Sequence, residues 1–171
     1  MRTIVLSFVL GLFLMSCGGE KQSHQKHEAA KEEEKLTAVI YNAEKAKAPQ
    51  AYMKLSECLI ASNPTAAQTY AKRLKSAMPS EAAEEVNASI DAIINTDDLA
   101  AQRKSFETVT AYFLEVAKKG EAGMDIYLVH CPMAFNNTGA NWLSATNEVV
   151  NPYFGDEMLH CGRVMETIKG K

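Results

Sequence analysis

The sequence predicts a mainly α protein. The expected order is an antiparallel up-down helical bundle, a short extended segment, an irregular Trp/Asn-Pro-rich module and a C-terminal helix. Three observations predict it. Apolar residues recur at helical spacing through four successive stretches between about Pro49 and Lys118. Short connections separate these stretches, which makes consecutive helices antiparallel neighbours. After Gly123 the helical period gives way to β-branched and aromatic residues.

In the first stretch Tyr52, Leu55, Cys58 and Leu59 share a face, with Val39 and Ile40 upstream. Pro49 stands either in a first turn or at a kink. Asn63-Pro64 reads as a cap followed by a first-turn proline, opening a helix with Ala67, Tyr70, Ala71 and Leu74 on one side. Pro79-Ser80 is expected to open the third helix, which carries Val86, Ile90, Ile93 and Ile94. Thr96-Asp97-Asp98 sets carboxylates at the start of the fourth, where the helix dipole favours them. Its stripe is Leu99, Phe106, Val109, Thr110, Phe113 and Val116, and it stops at Gly120 and Gly123. Arg103 lies beside that stripe, and exposure is expected for it rather than burial against a carboxylate. The predicted common core is Leu55, Leu59, Leu74, Ile90, Phe106, Val109 and Phe113.

Asp125 to His130 reads as an extended segment that delivers the chain into Cys131-Pro132-Met133. A Gly-, Asn- and Pro-rich block with the only tryptophan, Trp142, runs on to Gly155. Asp156 is the expected N-cap of a last helix, Glu157 to Ile168. On that helix Met158 and Cys161 share a face in the first turn, and His160 points elsewhere.

The N-terminus bears on the compartment. Arg2 supplies a positive charge, and Ile4 to Met15 form an apolar run too short for a comfortable membrane span. Leu14-Met15-Ser16-Cys17 resembles the lipobox of bacterial lipoproteins. The resemblance implies cleavage before Cys17 and a lipid anchor on Cys17; the alternative is a plain secretory signal. The expected organisation is a signal peptide at 1–16, a flexible tether at 17–35 and one helical domain at 36–171. A soft-sulfur motif module occupies 124–169. The tether is polar, so His24 and His27 read as solvated residues. The expected location is the bacterial cell envelope, lipid-anchored and periplasm-facing, with the outer membrane favoured over the inner.

The formal net charge is −3, with no basic patch carrying interleaved aromatics, so nucleic acid is not an expected partner. No phosphate loop, Ser/His/Asp signature or zincin motif is present, and no enzyme is expected. A Cys/His nucleophile lacks an evident orienting group.

The informative chemistry is sulfur. Cys131 and Met133 make one soft pair, and Met158 and Cys161 another. Thiolate and thioether together select soft metals, above all Cu(I). The four are the candidate metal ligands, with His130 and His160 peripheral. The same two cysteines make an equally natural disulfide in an oxidising compartment, and redox-dependent exchange between the two states is a third possibility. Cys58, on the apolar face of the first helix, reads as a small buried hydrophobe. Trp142, Tyr153 and Phe154 read as core anchors, and Trp142 also suits an apolar shield around a metal.

Four motifs stand in order: Cys-Pro-Met-Ala at 131–134, Gly-Ala-Asn-Trp-Leu-Ser at 139–144, Asn-Pro-Tyr-Phe-Gly-Asp at 151–156 and Met-Leu-His-Cys-Gly at 158–162. They resemble the domain of unknown function 3347 family, over roughly residues 49–169. That family occurs in bacterial lipoproteins and secreted proteins, mostly of Bacteroidetes. It also forms C-terminal domains of the periplasmic adaptor subunits of copper- and silver-exporting efflux pumps. The resemblance implies a helical domain and a link to metal handling, and supplies no ligand set. The expected function is to bind or buffer Cu(I) or Ag(I) in the envelope, in concert with a heavy-metal efflux system. An efflux adaptor or copper protein is the expected partner besides the membrane. The alternative is a non-catalytic envelope interaction module stabilised by a Cys131–Cys161 disulfide.

Overall fold

The computed structural model describes residues 47–170, which lie within one compact unit. The signal peptide, Cys17, His24, His27, Val39 and Ile40 lie outside the described residues. Four helices come first: α1 (Lys47–Ile60), α2 (Pro64–Ala77), α3 (Glu84–Ile94) and α4 (Leu99–Lys118). Then follow β1 (Ile126–Cys131), a short turn α5 (Ala134–Asn137), β2 (Ala140–Ser144), a single 3-10 turn (Gly155–Glu157) and β3 (Arg163–Ile168).

The helix ends follow local chemistry. Ser62, at φ 51°, ends α1: its N–H donates to Leu59 O (3.2 Å) and that of Asn63 to Cys58 O (3.0 Å). Asn63 then caps α2 by accepting from Ala66 N–H at 3.0 Å, ahead of Pro64. Asp98 Oδ1 accepts from the N–H groups of Ala100 and Ala101 to start α4. Gly120, at φ 73°, closes it, with Gly120 N–H on Ala117 O (2.8 Å) and Glu121 N–H on Val116 O (3.1 Å). The third helix departs from expectation. Pro79 accepts a turn bond from Ala82, and α3 begins only at Glu84, after Ala83 and without a side-chain cap.

Consecutive helices pack on one another, and α4 also packs on β2. Leu55, Leu59, Leu74, Ile90, Phe106, Val109 and Phe113 are all buried, as predicted. The Tyr52 ring stacks on Phe106 at 5.0 Å. Its hydroxyl bonds Thr110 Oγ1 (2.9 Å) and accepts from Leu143 N–H (3.1 Å), joining α1 to α4 and β2.

The sheet has the order β2-β1-β3, with both pairs antiparallel. Two expectations change here. Part of the block expected to be irregular is a strand, with Trp142 opposite Val129. The expected C-terminal helix is not formed: Asp156 lies inside a 3-10 turn without a side-chain cap, and residues 163–168 are β3. Two causes combine. Gly162 sits at φ 147°, which breaks a helical course. The β-branched Val164, Thr167 and Ile168 suit the open edge of β1, where Ile126 faces Ile168. Met158 and Cys161 therefore share no helix face; a turn bond from Cys161 N–H to Met158 O (3.0 Å) relates them instead.

Candidate thiol and metal site

Cys131 is the last residue of β1, opposite Ala140, and is fully buried. On the other flank His130 faces Arg163, so continuing the register sets Gly162 beside Cys131 and Cys161 at the mouth of β3. The Cys131 and Cys161 sulfurs stand 3.0 Å apart across 30 residues of chain, and both thiols are free. Cys161 is half-buried. Its thiol is held above the usual cysteine range, first by the hydrogen bond with Cys131 and then by desolvation and the neighbouring sulfur's charge. The Met133 main-chain N–H acts in the opposite direction, because it donates to Cys161.

The Asn-Pro turn fixes Cys161. Asn151 is wholly buried. Its amide donates to Cys161 O at 2.7 Å, its Oδ1 accepts from Tyr153 N–H at 2.8 Å, and its own N–H donates to Leu159 O at 2.8 Å. Tyr153 donates from its hydroxyl to Asn141 O and sets its ring against Phe106, Phe135 and Trp142. A Cβ on Gly162 would come within 2.7 Å of the Trp142 ring, so the indole lies against the main chain right after Cys161. Arg103 secures the turn from the helical side. It is half-buried, and it donates to Pro152 O (2.8 Å), Leu59 O (3.1 Å) and Ser62 Oγ (3.0 Å) rather than standing free in solvent. Burial holds its guanidinium below its ordinary value.

After Met133 the chain makes an uncommon turn. Phe135, Asn136 and Asn137 have φ of 51°, 58° and 65°. Asparagine tolerates this region, but a phenylalanine there is strained. The Phe135 ring is held by the edge of Tyr153 at 5.2 Å and by the Lys104 ammonium at 4.6 Å. Strain of this kind persists only where surrounding contacts overdetermine it.

Of the predicted ligands, the structure thus brings together Cys131 and Cys161 and adds the main chain of Met133. The Met133 side chain is 46% exposed, and Met158 is half-buried at the end of the 3-10 turn. His130 Nδ1 pairs with Asn141 Oδ1 (2.8 Å), and His160 Nδ1 with Val149 O (2.9 Å). Cys58 is buried, and desolvation raises its thiol pKa. Among the described residues no group of three or more His, Cys, Asp or Glu side chains is placed to hold a metal. A soft site would draw its further ligands from the thioethers. Asn151 and Gly162 stand in the motifs at 151–156 and 158–162, but the sequence assigns neither a role. Asn-Pro is a legible turn signal, but nothing local says that the asparagine reaches Cys161. A separate open groove of about 780 Å³ lies between α1 and α2, with Lys54, Lys72, Arg73 and Tyr70 among its walls, apart from the thiol pair.

The architecture is that of a helical domain carrying a small antiparallel sheet, with a partly buried thiol pair at the sheet's end. Residues 48–125 match the model of a family described as protein of unknown function (DUF3347). That segment is similar to this family, which is also the one the motifs at 131–162 resemble. The match covers the four helices and ends before β1, so Cys131, Asn151 and Cys161 lie beyond it. No curated protein and no solved structure matches the chain.

Proposed function

We propose that the protein is a cell-envelope lipoprotein, anchored through Cys17, that binds or buffers Cu(I) or Ag(I) at Cys131 and Cys161. Met133 and Met158 supply thioether ligands, and a heavy-metal efflux adaptor is the partner. The lipobox supports the anchor, and the family resemblance supports the link to efflux. The observation that carries the metal assignment is the convergence of two free thiols to 3.0 Å, one fully buried and the other half-buried. Two thiolates match a soft monovalent cation, and thioethers complete its coordination without added charge. Metal–thiolate bonds of about 2.3 Å at a trigonal angle place the two sulfurs about 4 Å apart. Loading therefore requires the pair to open by about 1 Å.

The test is anaerobic titration of the reduced protein with Cu(I) against a chromophoric chelator. The wild type takes up one Cu(I) and shows little affinity for Mg(II) or Ca(II), which want oxygen ligands. Cys131→Ser or Cys161→Ser removes most of the affinity, and Met133→Leu or Met158→Leu weakens it less. Equal affinity in the double cysteine variant overturns the assignment. That outcome favours the second reading, an envelope interaction module closed by a Cys131–Cys161 disulfide, which the same short sulfur separation supports.

A further inference from the structure

We infer that Cys131 and Cys161 form a thiol–disulfide exchange centre with a fixed order of attack. Cys161 reacts first with an incoming disulfide, and Cys131 resolves the product. The inference shares its sulfurs with the metal site but does not rest on metal binding.

The order follows from access. Cys131 has no exposed surface, whereas Cys161 is half-buried and lies between the 3-10 turn and β3. An external disulfide must be met by an accessible sulfur, and only Cys161 offers one. The second step needs a thiol already within striking distance. Cys131 is 3.0 Å away, inside the separation of about 3–3.5 Å that marks a near-attack arrangement. The Asn151 bond to Cys161 O and the end of β1 hold the two sulfurs there.

The chemistry balances without a metal. Cys161, as thiolate, attacks a small disulfide R–S–S–R, forms a mixed disulfide and releases one RS⁻, which takes up the proton Cys161 lost. Cys131 then gives up its proton and attacks the Cys161 sulfur. The mixed bond breaks, the intramolecular Cys131–Cys161 bond forms, and a second RSH leaves. Two protein thiols are oxidised to one disulfide, and one small disulfide is reduced to two thiols. The oxidised form has no thiolate to offer a soft cation, so the same step would switch off metal binding where that assignment holds.

The test uses the full chain, reduced and metal-free, with oxidised glutathione as the probe and peptide mapping to locate each modified sulfur. Wild type is expected to form the Cys131–Cys161 disulfide and retain no glutathione on either residue. Cys131→Ser should trap glutathione on Cys161. Cys161→Ser should leave Cys131 modified at least about tenfold more slowly. Cys131→Ala and Cys161→Ala, with circular dichroism, separate loss of chemistry from loss of fold. Comparable modification of Cys131 and Cys161 in the two folded variants overturns the order. Wild type that keeps glutathione on Cys161 without closing overturns the resolving role. Because no metal is present, failure of Cu(I) binding and failure of exchange are read separately.

Discussion

The side-chain amide of Asn151 donates to the main-chain carbonyl of Cys161 at 2.7 Å, from a position with no exposed surface. One side chain thereby ties the Asn-Pro turn to the segment that enters β3, and so sets where Cys161 lies relative to Cys131.

Asn151→Ala leaves the Cys161 carbonyl and the Tyr153 N–H without their partner. A loss of about 1–3 kcal/mol is expected, as for other buried groups left unpaired, together with slower closure of the Cys131–Cys161 bond. Asn151→Asp keeps the acceptor for Tyr153 N–H but loses the donor to Cys161. Urea unfolding combined with the oxidation rate checks both; unchanged values in Asn151→Ala would remove the turn from the site.

Gly162→Ala drives a methyl group into Trp142 at 2.7 Å and His130 O at 3.0 Å, at φ 147° where an L side chain is strained. Stability should fall by about 1–3 kcal/mol. Trp142 fluorescence should shift as the indole is displaced. A variant with wild-type fluorescence and stability would mean that the Gly162–Trp142 approach is not tight.

Tyr52 gives a pH signature. Burial holds its phenol above the ordinary tyrosine range, despite the bonds to Thr110 and Leu143; Tyr153 is shifted the same way, again chiefly by burial. The folded state thus keeps these protons where the unfolded chain, with tyrosine pKa of about 10, loses them. Stability is fully present below that value and falls as pH rises above it. Tyr52→Phe should lower stability near neutrality by about 1–3 kcal/mol, because Leu143 N–H and Thr110 lose a partner. It should also flatten the alkaline decline, which chemical unfolding at a series of pH values measures.

Phe106→Ala tests the helical core. Phe106 has no exposed surface and stacks on Tyr52, so truncation should cost about 3–5 kcal/mol. Thermal unfolding checks the size; a loss below 1 kcal/mol would mean the cavity collapses freely.

Much of the helical half was legible because its determinants are local. The Asn63-Pro64 start, the Asp98 cap and the Gly120 stop each involve residues within one turn of the chain. The inward positions from Leu55 to Phe113 followed from period alone. The start of α3 was misplaced because a proline suits a turn as well as a first helical position, and here Pro79 makes a turn. In the candidate site the pairing of Cys131 with Cys161 was legible as soft residues at short offsets. The role of the Met133 main chain and the reach of Asn151 were not, since neither leaves a mark in side-chain pattern.

The four helices, the Asn63 and Asp98 starts, the Gly120 stop, the buried stripe and the change of character after Gly123 are all written in local sequence. Only the tertiary structure decided the fate of residues 157–168. Read alone, Asp156, Met158 and Cys161 suit a helix start as well as a turn; β1 presents an open edge, and Val164, Thr167 and Ile168 fill it. The physical reason is the range of the hydrogen bonds. A helix bonds within four residues, so its signals lie side by side in the chain. A strand takes its partners from a distant segment, and here Ile168 faces Ile126. The same long-range pairing brings two sulfurs 30 residues apart to 3.0 Å.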